Sequence, residues 1–164
     1  MNTLMQFLAA ILSILLANMP AMASAHEWKT YTNVRFGYHI CYPADLLTAG
    51  PEADNGDGRV FSARSGAELR VWGNYNALEQ DMDAIVRDLA DPDATITYRR
   101  GTKSWAVVSG HKNGDIFYAK VLMTRNAKDG IDSVHTFRLT YPAGETKTYD
   151  AVAERLAKCF RLAE

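Results

Sequence analysis

The chain has 164 residues, 48% of them hydrophobic, and a formal net charge of −1. Its basic residues, from Lys29 to Arg161, are interspersed with acids rather than blocked. That balance excludes the electrostatic footprint of a nucleic-acid-binding protein or of one adhering to an anionic membrane surface.

From the N-terminus, Leu8 to Ala17 is an almost unbroken apolar run leading to Ala21-Met22-Ala23 and Ala23-Ser24-Ala25. Polar sequence, His26-Glu27-Trp28, starts immediately afterwards. This is the layout of a secretory signal peptide, although no Lys or Arg supplies the usual positive n-region. The apolar run is shorter than the roughly 20 residues of a spanning helix, so a cleaved leader is favoured over a membrane anchor. The expected organisation is a signal peptide over residues 1–25 and a single α+β domain over 26–164. The domain is of the commonest size and large enough for one core. The expected location is the periplasm or the exterior, with no stable membrane anchor after cleavage.

Trp28 to Thr32 reads as a short strand and Asn33 to Phe36 as a turn. Gly37 to Tyr42 alternates and is rich in aromatic and β-branched residues, which predicts a strand stopped by Pro43. Thr48 to Gly58, dense in Gly, Pro, Asp and Asn, reads as a loop. Val60 to Arg64 and Glu68 to Trp72 flank Ser65-Gly66 as a hairpin. Leu78, Met82, Ile85, Val86 and Leu89 recur at helical spacing. Asn76 with Glu79 reads as a capping-box start and Asp91-Pro92 as a stop. Strands follow over Thr95 to Arg100, Ser104 to Ser109 and Ile116 to Thr124, the last two joined at Asn113-Gly114. Arg125 to Asp132 is a polar turn, and Ser133 to Tyr141 is a strand stopped by Pro142. Tyr149, Val152, Ala153, Leu156 and Phe160 trace a second amphipathic helix. Hairpin-length connections favour an antiparallel sheet with helices packed on it.

In a secreted chain two and only two cysteines, Cys41 and Cys159, are most simply read as one disulfide, with two separate buried thiols as the alternative. Such a bridge would close a loop of over a hundred residues.

Phe36-Gly37-Tyr38-His39-Ile40-Cys41-Tyr42-Pro43 and the closing Tyr149…Lys158-Cys159-Phe160-Arg161, a helix running into a short final strand, resemble the Mog1/PsbP-like superfamily. That superfamily includes small exported bacterial members of unknown role. The strand–helix order between the motifs agrees with it. The resemblance implies a central antiparallel sheet of about six strands sandwiched by helices. It also implies a protein that acts by binding others, as photosystem extrinsic subunits and a nuclear transport factor do. It transfers no catalytic residue, and the two cysteines are not part of its pattern.

Glu52, Asp54, Asn55 and Asp57 could offer hard oxygens to Ca²⁺, but Gly56 and Gly58 stand where an EF-hand needs carboxylates. Ordinary turn chemistry is the simpler reading of this loop. His26, His39, His111 and His135 form no zinc-binding spacing; if their strands neighbour one another, His39 and His135 could approach. Ser65-Gly66 and Ser109-Gly110-His111 lack the nucleophile elbow, and no phosphate-cradling Gly loop opens a helix. The carboxylate pairs Asp81/Asp83 and Asp91/Asp93 are more simply solvated than catalytic. No cofactor is expected.

Trp72, Tyr75, Tyr98, Trp105, Phe117 and Tyr118 cluster around the middle strands. Phe117 and Tyr118 point to opposite faces, so burying both requires a sheet covered on both sides. The expected function is a non-enzymatic binding or accessory factor for an envelope protein. The candidate surface is Trp72, Tyr75, Asp54 and Asp57. The alternatives are a carrier of a small apolar ligand and a hydrolase assembled only in three dimensions.

Overall fold

The computed structural model describes residues 26–125 and 130–163. The leader read over residues 1–25 lies outside them, as do residues 126–129 of the polar turn.

The strands divide into two sheets. β1 (Trp28–Asn33) and β2 (Tyr38–Pro43) form a hairpin, and β10 (Arg161–Leu162) pairs with the free edge of β2. The β1–β2 turn closes with Gly37 at φ 62°, a conformation that glycine adopts without steric cost. The large sheet contains β3 (Thr48–Glu52), β4 (Gly58–Ser62), β5 (Glu68–Tyr75), β6 (Thr95–Gly101), β7 (Trp105–Lys112), β8 (Asp115–Thr124) and β9 (Ser133–Pro142). Its order is β3-β4-β5-β9-β8-β7-β6, antiparallel throughout. The α+β class and the antiparallel central sheet are as read. The sheet has seven strands, and the first hairpin with the last strand stands apart from it.

Two helices cover the large sheet from opposite sides. α1 (Met82–Leu89) follows β5, and α2 (Thr146–Cys159) follows a 3₁₀ turn at Ala143–Glu145. Period-two alternation sorts β9 between them. Phe137, Leu139 and Tyr141 join Phe61, Leu69 and Val71 on one face, under Tyr149, Val152 and Leu156 of α2 and Tyr38 and Ile40 of the small sheet. Val134 points the other way. With Ala106, Val108, Phe117, Ala119 and Val121 it receives Met82, Ile85 and Val86 of α1. Phe117 is therefore buried beneath α1, while Tyr118 on the opposite face stacks on Phe137. Each such fully buried side chain contributes about 1.5–3 kcal/mol.

Two boundaries differ from the sequence reading. The first helix starts at Asp81, whose Oδ1 accepts from Ala84 N at 2.8 Å, not at Asn76. Asn76 instead folds residues 76–80 into a turn, with Oδ1 accepting from Gln80 N at 3.0 Å and Nδ2 donating to Gln80 O at 2.8 Å. Leu78 consequently stands 82% exposed instead of joining the helix face. The segment read as a loop from Thr48 to Gly58 holds an edge strand, β3, and a short turn. Its register against β4 shifts between Ala49 and Glu52, which lets Pro51 sit at a sheet edge without a ladder donor.

Candidate binding surface

The turn after β3 is held from below by a buried amide. Asn33, fully buried at the end of β1, donates Nδ2 to Gly56 O at 2.9 Å, to Glu52 Oε1 at 3.2 Å and to Tyr31 Oη at 3.0 Å. Its Oδ1 accepts from Phe36 N at 2.8 Å. Tyr31 Oη donates to Glu52 Oε1 at 2.9 Å and Tyr38 Oη to Asp57 O at 2.9 Å. Burial pushes both phenols above their ordinary pKa, so they act here as donors. The sequence reading missed this hub because an Asn before a turn ordinarily signals local turn chemistry.

These bonds engage Glu52 and Asp57. Glu52 is turned inward to Tyr31 and Asn33 and lies 3.6 Å from Arg59, while Asp57 Oδ2 accepts from Asn55 Nδ2 at 2.8 Å. Among the described residues, no group of three or more His, Cys, Asp or Glu is placed to hold a metal ion.

Trp72 sits on β5 opposite Gly58 of β4 and Thr136 of β9. A Cβ at position 58 would lie 2.0 Å from Val71 O and 2.8 Å from Trp72 Cα, so glycine alone lets the two strands close here. The core contacts of α1 fall on β7, β8 and β9, leaving the β4–β5 part of the same face without a helix among the described residues. There Trp72, Val60, Arg70, Pro51, Asp54 and Asp57 line a groove of about 470 Å³. Arg70 Nε is paired to Glu68 at 2.6 Å.

Tyr75 does not share this groove. Three residues beyond Trp72 it emerges on the opposite face, 49% exposed, with its ring 5.2 Å from Phe36. Phe36 in turn occupies the space where a Cβ on Gly73 would be, 2.5 Å away. The structure thus brings Trp72, Asp54 and Asp57 together and sets Tyr75 on the loop end behind them.

The histidines are dispersed. Nδ1 of His26 lies 2.7 Å from Asp45 Oδ2. His39 Nε2 accepts from Arg161 Nε at 2.6 Å, on the side of β2 away from the core. His135 is buried, 2% exposed, with Nε2 3.2 Å from Thr124 Oγ1 and the Tyr38 ring edge-on at 5.8 Å. Desolvation lowers its pKa to about 4, so it is neutral at physiological pH. It is Tyr38, not His39, that meets His135, because adjacent residues of β2 face opposite ways.

Cys41 and Cys159 are bridged, Cα to Cα 5.8 Å apart across a sequence separation of 118. The bond ties β2 to the end of α2. None of the helices among the described residues is long and apolar enough to cross a membrane.

No model of a known protein family matches the sequence, and comparison with curated proteins gives no match either. Solved structures do match. Cyanobacterial PsbP (CyanoP) from Synechocystis sp. PCC 6803 superposes with a TM-score of 0.55 at 16% identity, covering 88% of this chain and 98% of that one. The Ran-binding protein Mog1p of Saccharomyces cerevisiae gives 0.54 at 8% identity, over 85% of this chain and 97% of its own. A mutant of protein Mog1 gives 0.53 at 9% identity, over 84% and 97%. At such identities the likeness is one of fold, and the fold is Mog1/PsbP-like.

Proposed function

We infer that this Mog1/PsbP-like domain is exported under a cleaved leader and works in the periplasm or outside the cell as a non-enzymatic accessory protein. It binds an envelope protein through the groove containing Trp72. The carrying observation is that groove: a half-buried indole on a part of the sheet face that no helix covers among the described residues, beside a loop pinned by Asn33. A tryptophan held by rigid strands, flanked by Val60 and Pro51 and rimmed by charge, has the make-up of a protein-interface anchor. That a protein of this fold is a Ran-binding protein supports a partner of the protein class.

Two further features favour binding over chemistry or carriage. The histidine paired with a carboxylate, His26 with Asp45, has no serine hydroxyl hydrogen-bonded to it among the described residues. The space between the sheet and α2 is filled by Phe137, Tyr149, Leu156 and Phe160, each at most 1% exposed, so an apolar ligand would have to lie in an open groove.

The test is crosslinking of the tagged protein in its native envelope, with captured partners identified by mass spectrometry. One dominant envelope protein, lost on Trp72→Ala and retained on Tyr75→Ala, is expected. Capture that Trp72→Ala leaves unchanged overturns the groove assignment, and a co-purifying apolar molecule in the native mass spectrum would replace it with carriage.

A further inference from the structure

On the outer side of α2, beside the Cys41–Cys159 bridge, Arg155, Lys158 and Arg161 line a recess of about 460 Å³. The two guanidinium groups are held by aromatic side chains rather than by carboxylates. The Arg155 guanidinium lies over Trp28, 4.2 Å from the ring centroid. Arg161 donates Nε to His39 at 2.6 Å, and its two terminal nitrogens have no partner among the described residues. Among the described residues neither arginine is within ion-pair distance of Asp or Glu, whereas Arg59, Arg70, Arg99 and Arg138 each are. One acid, Glu154, also lines the recess, and it is engaged by Lys158 at 2.6 Å.

Stacking on an indole and a hydrogen bond to an imidazole nitrogen orient a guanidinium without a carboxylate to cancel its charge. The disulfide then fixes the end of α2 to β2, and the pairing of Arg161 with His39 in the small sheet fixes the strand that carries the second arginine. Two oriented guanidinium groups, without a carboxylate partner among the described residues, are thus carried on one unit. The negative end of the α2 dipole would oppose an anion here, but Lys120 Nζ donates to the carbonyls of Ala157 at 2.6 Å and Phe160 at 3.3 Å and offsets it. A planar guanidinium matches a carboxylate with two parallel hydrogen bonds.

We propose that this recess binds the carboxylate side chains of an acidic segment in a partner protein. The site is independent of the Trp72 groove, which lies on the other side of the large sheet.

The test titrates the purified protein against a hexaglutamate peptide bearing a C-terminal fluorophore, read by anisotropy and by the fluorescence of the tryptophans, with Trp28→Phe identifying the indole that responds. Saturable binding that weakens with salt is expected. Arg155→Gln and Arg161→Gln should each weaken it at least tenfold, Arg161→Lys should restore part of the loss, and Arg100→Gln on distant β6 should change nothing. Unchanged thermal melts in Arg161→Gln and Arg161→Lys separate the effect from unfolding. Absence of saturable binding, or equal loss in Arg100→Gln, overturns the proposal. So does arginine-dependent binding of inorganic phosphate or of phosphatidylglycerol vesicles with none of the peptide. Trp72→Ala leaves this readout intact, so the two surfaces fail or stand separately.

Discussion

Lys120 of β8 reaches beneath the end of α2 and donates Nζ to the carbonyl of Ala157 at 2.6 Å. A charged side chain from the sheet thereby adds a donor at a helix end where the Phe160 N–H already reaches Leu156 O at 2.9 Å. Burial lowers its pKa below that of a free lysine, yet not the need for it, since the last carbonyls of a helix lack backbone donors. Lys120→Met, similar in length and apolar, should destabilise by about 1–2 kcal/mol by leaving those carbonyls unpaired. Urea unfolding measures it. Unaltered stability would mean that water satisfies them equally well.

His135 makes stability depend on pH. Its folded pKa, about 4, lies below the unfolded value of about 6.5. Between these values the unfolded chain takes up a proton that the folded chain refuses. The contribution is therefore complete above pH 6.5 and is lost as pH falls towards 4, to a maximum of about 3 kcal/mol. Chemical denaturation at pH 7.5, 6, 5 and 4 should trace the decline. His135→Leu should flatten this window, and an unchanged slope would remove His135 as its source.

Asn33 is expected to be the most sensitive polar position. Asn33→Ala strips donors from Glu52, Tyr31 and Gly56 and an acceptor from Phe36 N, and should cost about 2–4 kcal/mol. Asn33→Asp should be worse, because it sets a second carboxylate against Glu52. Amide exchange of residues 53–57 should accelerate in Asn33→Ala before global unfolding does.

Loss of the bridge should cost about 5 kcal/mol on the chain-entropy model for a loop of this length. Denaturation of Cys41→Ser/Cys159→Ser beside wild type with and without reductant tests it. Reduced wild type should match the double variant.

Gly58→Ala should force β4 from β5, because the new methyl would overlap Val71 O. A loss of about 2 kcal/mol or more, with a shift in Trp72 fluorescence, is expected from overpacking of this kind. Retained stability would show that the strands separate freely.

Local pattern was legible wherever one periodicity had one outlet. Tyr149, Val152, Ala153 and Leu156 are the buried stripe of α2 as their spacing says, and the Asn113-Gly114 turn joins β7 to β8 with positive φ at both residues. Signals with two outlets misled. Gly50 and Pro51 suit a loop, but equally an irregular edge strand, and only pairing with β4 decides between them. Asn76 caps a turn as readily as a helix, and Asp81 five residues on makes the better N-cap. The adjacency of β5 and β9, more than fifty residues apart in sequence, carries no local signature at all. For the surface, Trp72 could be marked as a candidate, but which loop accompanies it depended on Asn33, whose value lies in being buried.

The small sheet begins with the first strand of the domain and ends with the last. β10 docks on β2, and Cys159 meets Cys41, across the whole of the chain that lies between them. On a chain that emerges from its N-terminus, β1 and β2 wait with one edge bare and one thiol unpaired. The bridge therefore holds the two ends of the described domain together, and a chain truncated before α2, which lacks Cys159, would leave Cys41 without its partner.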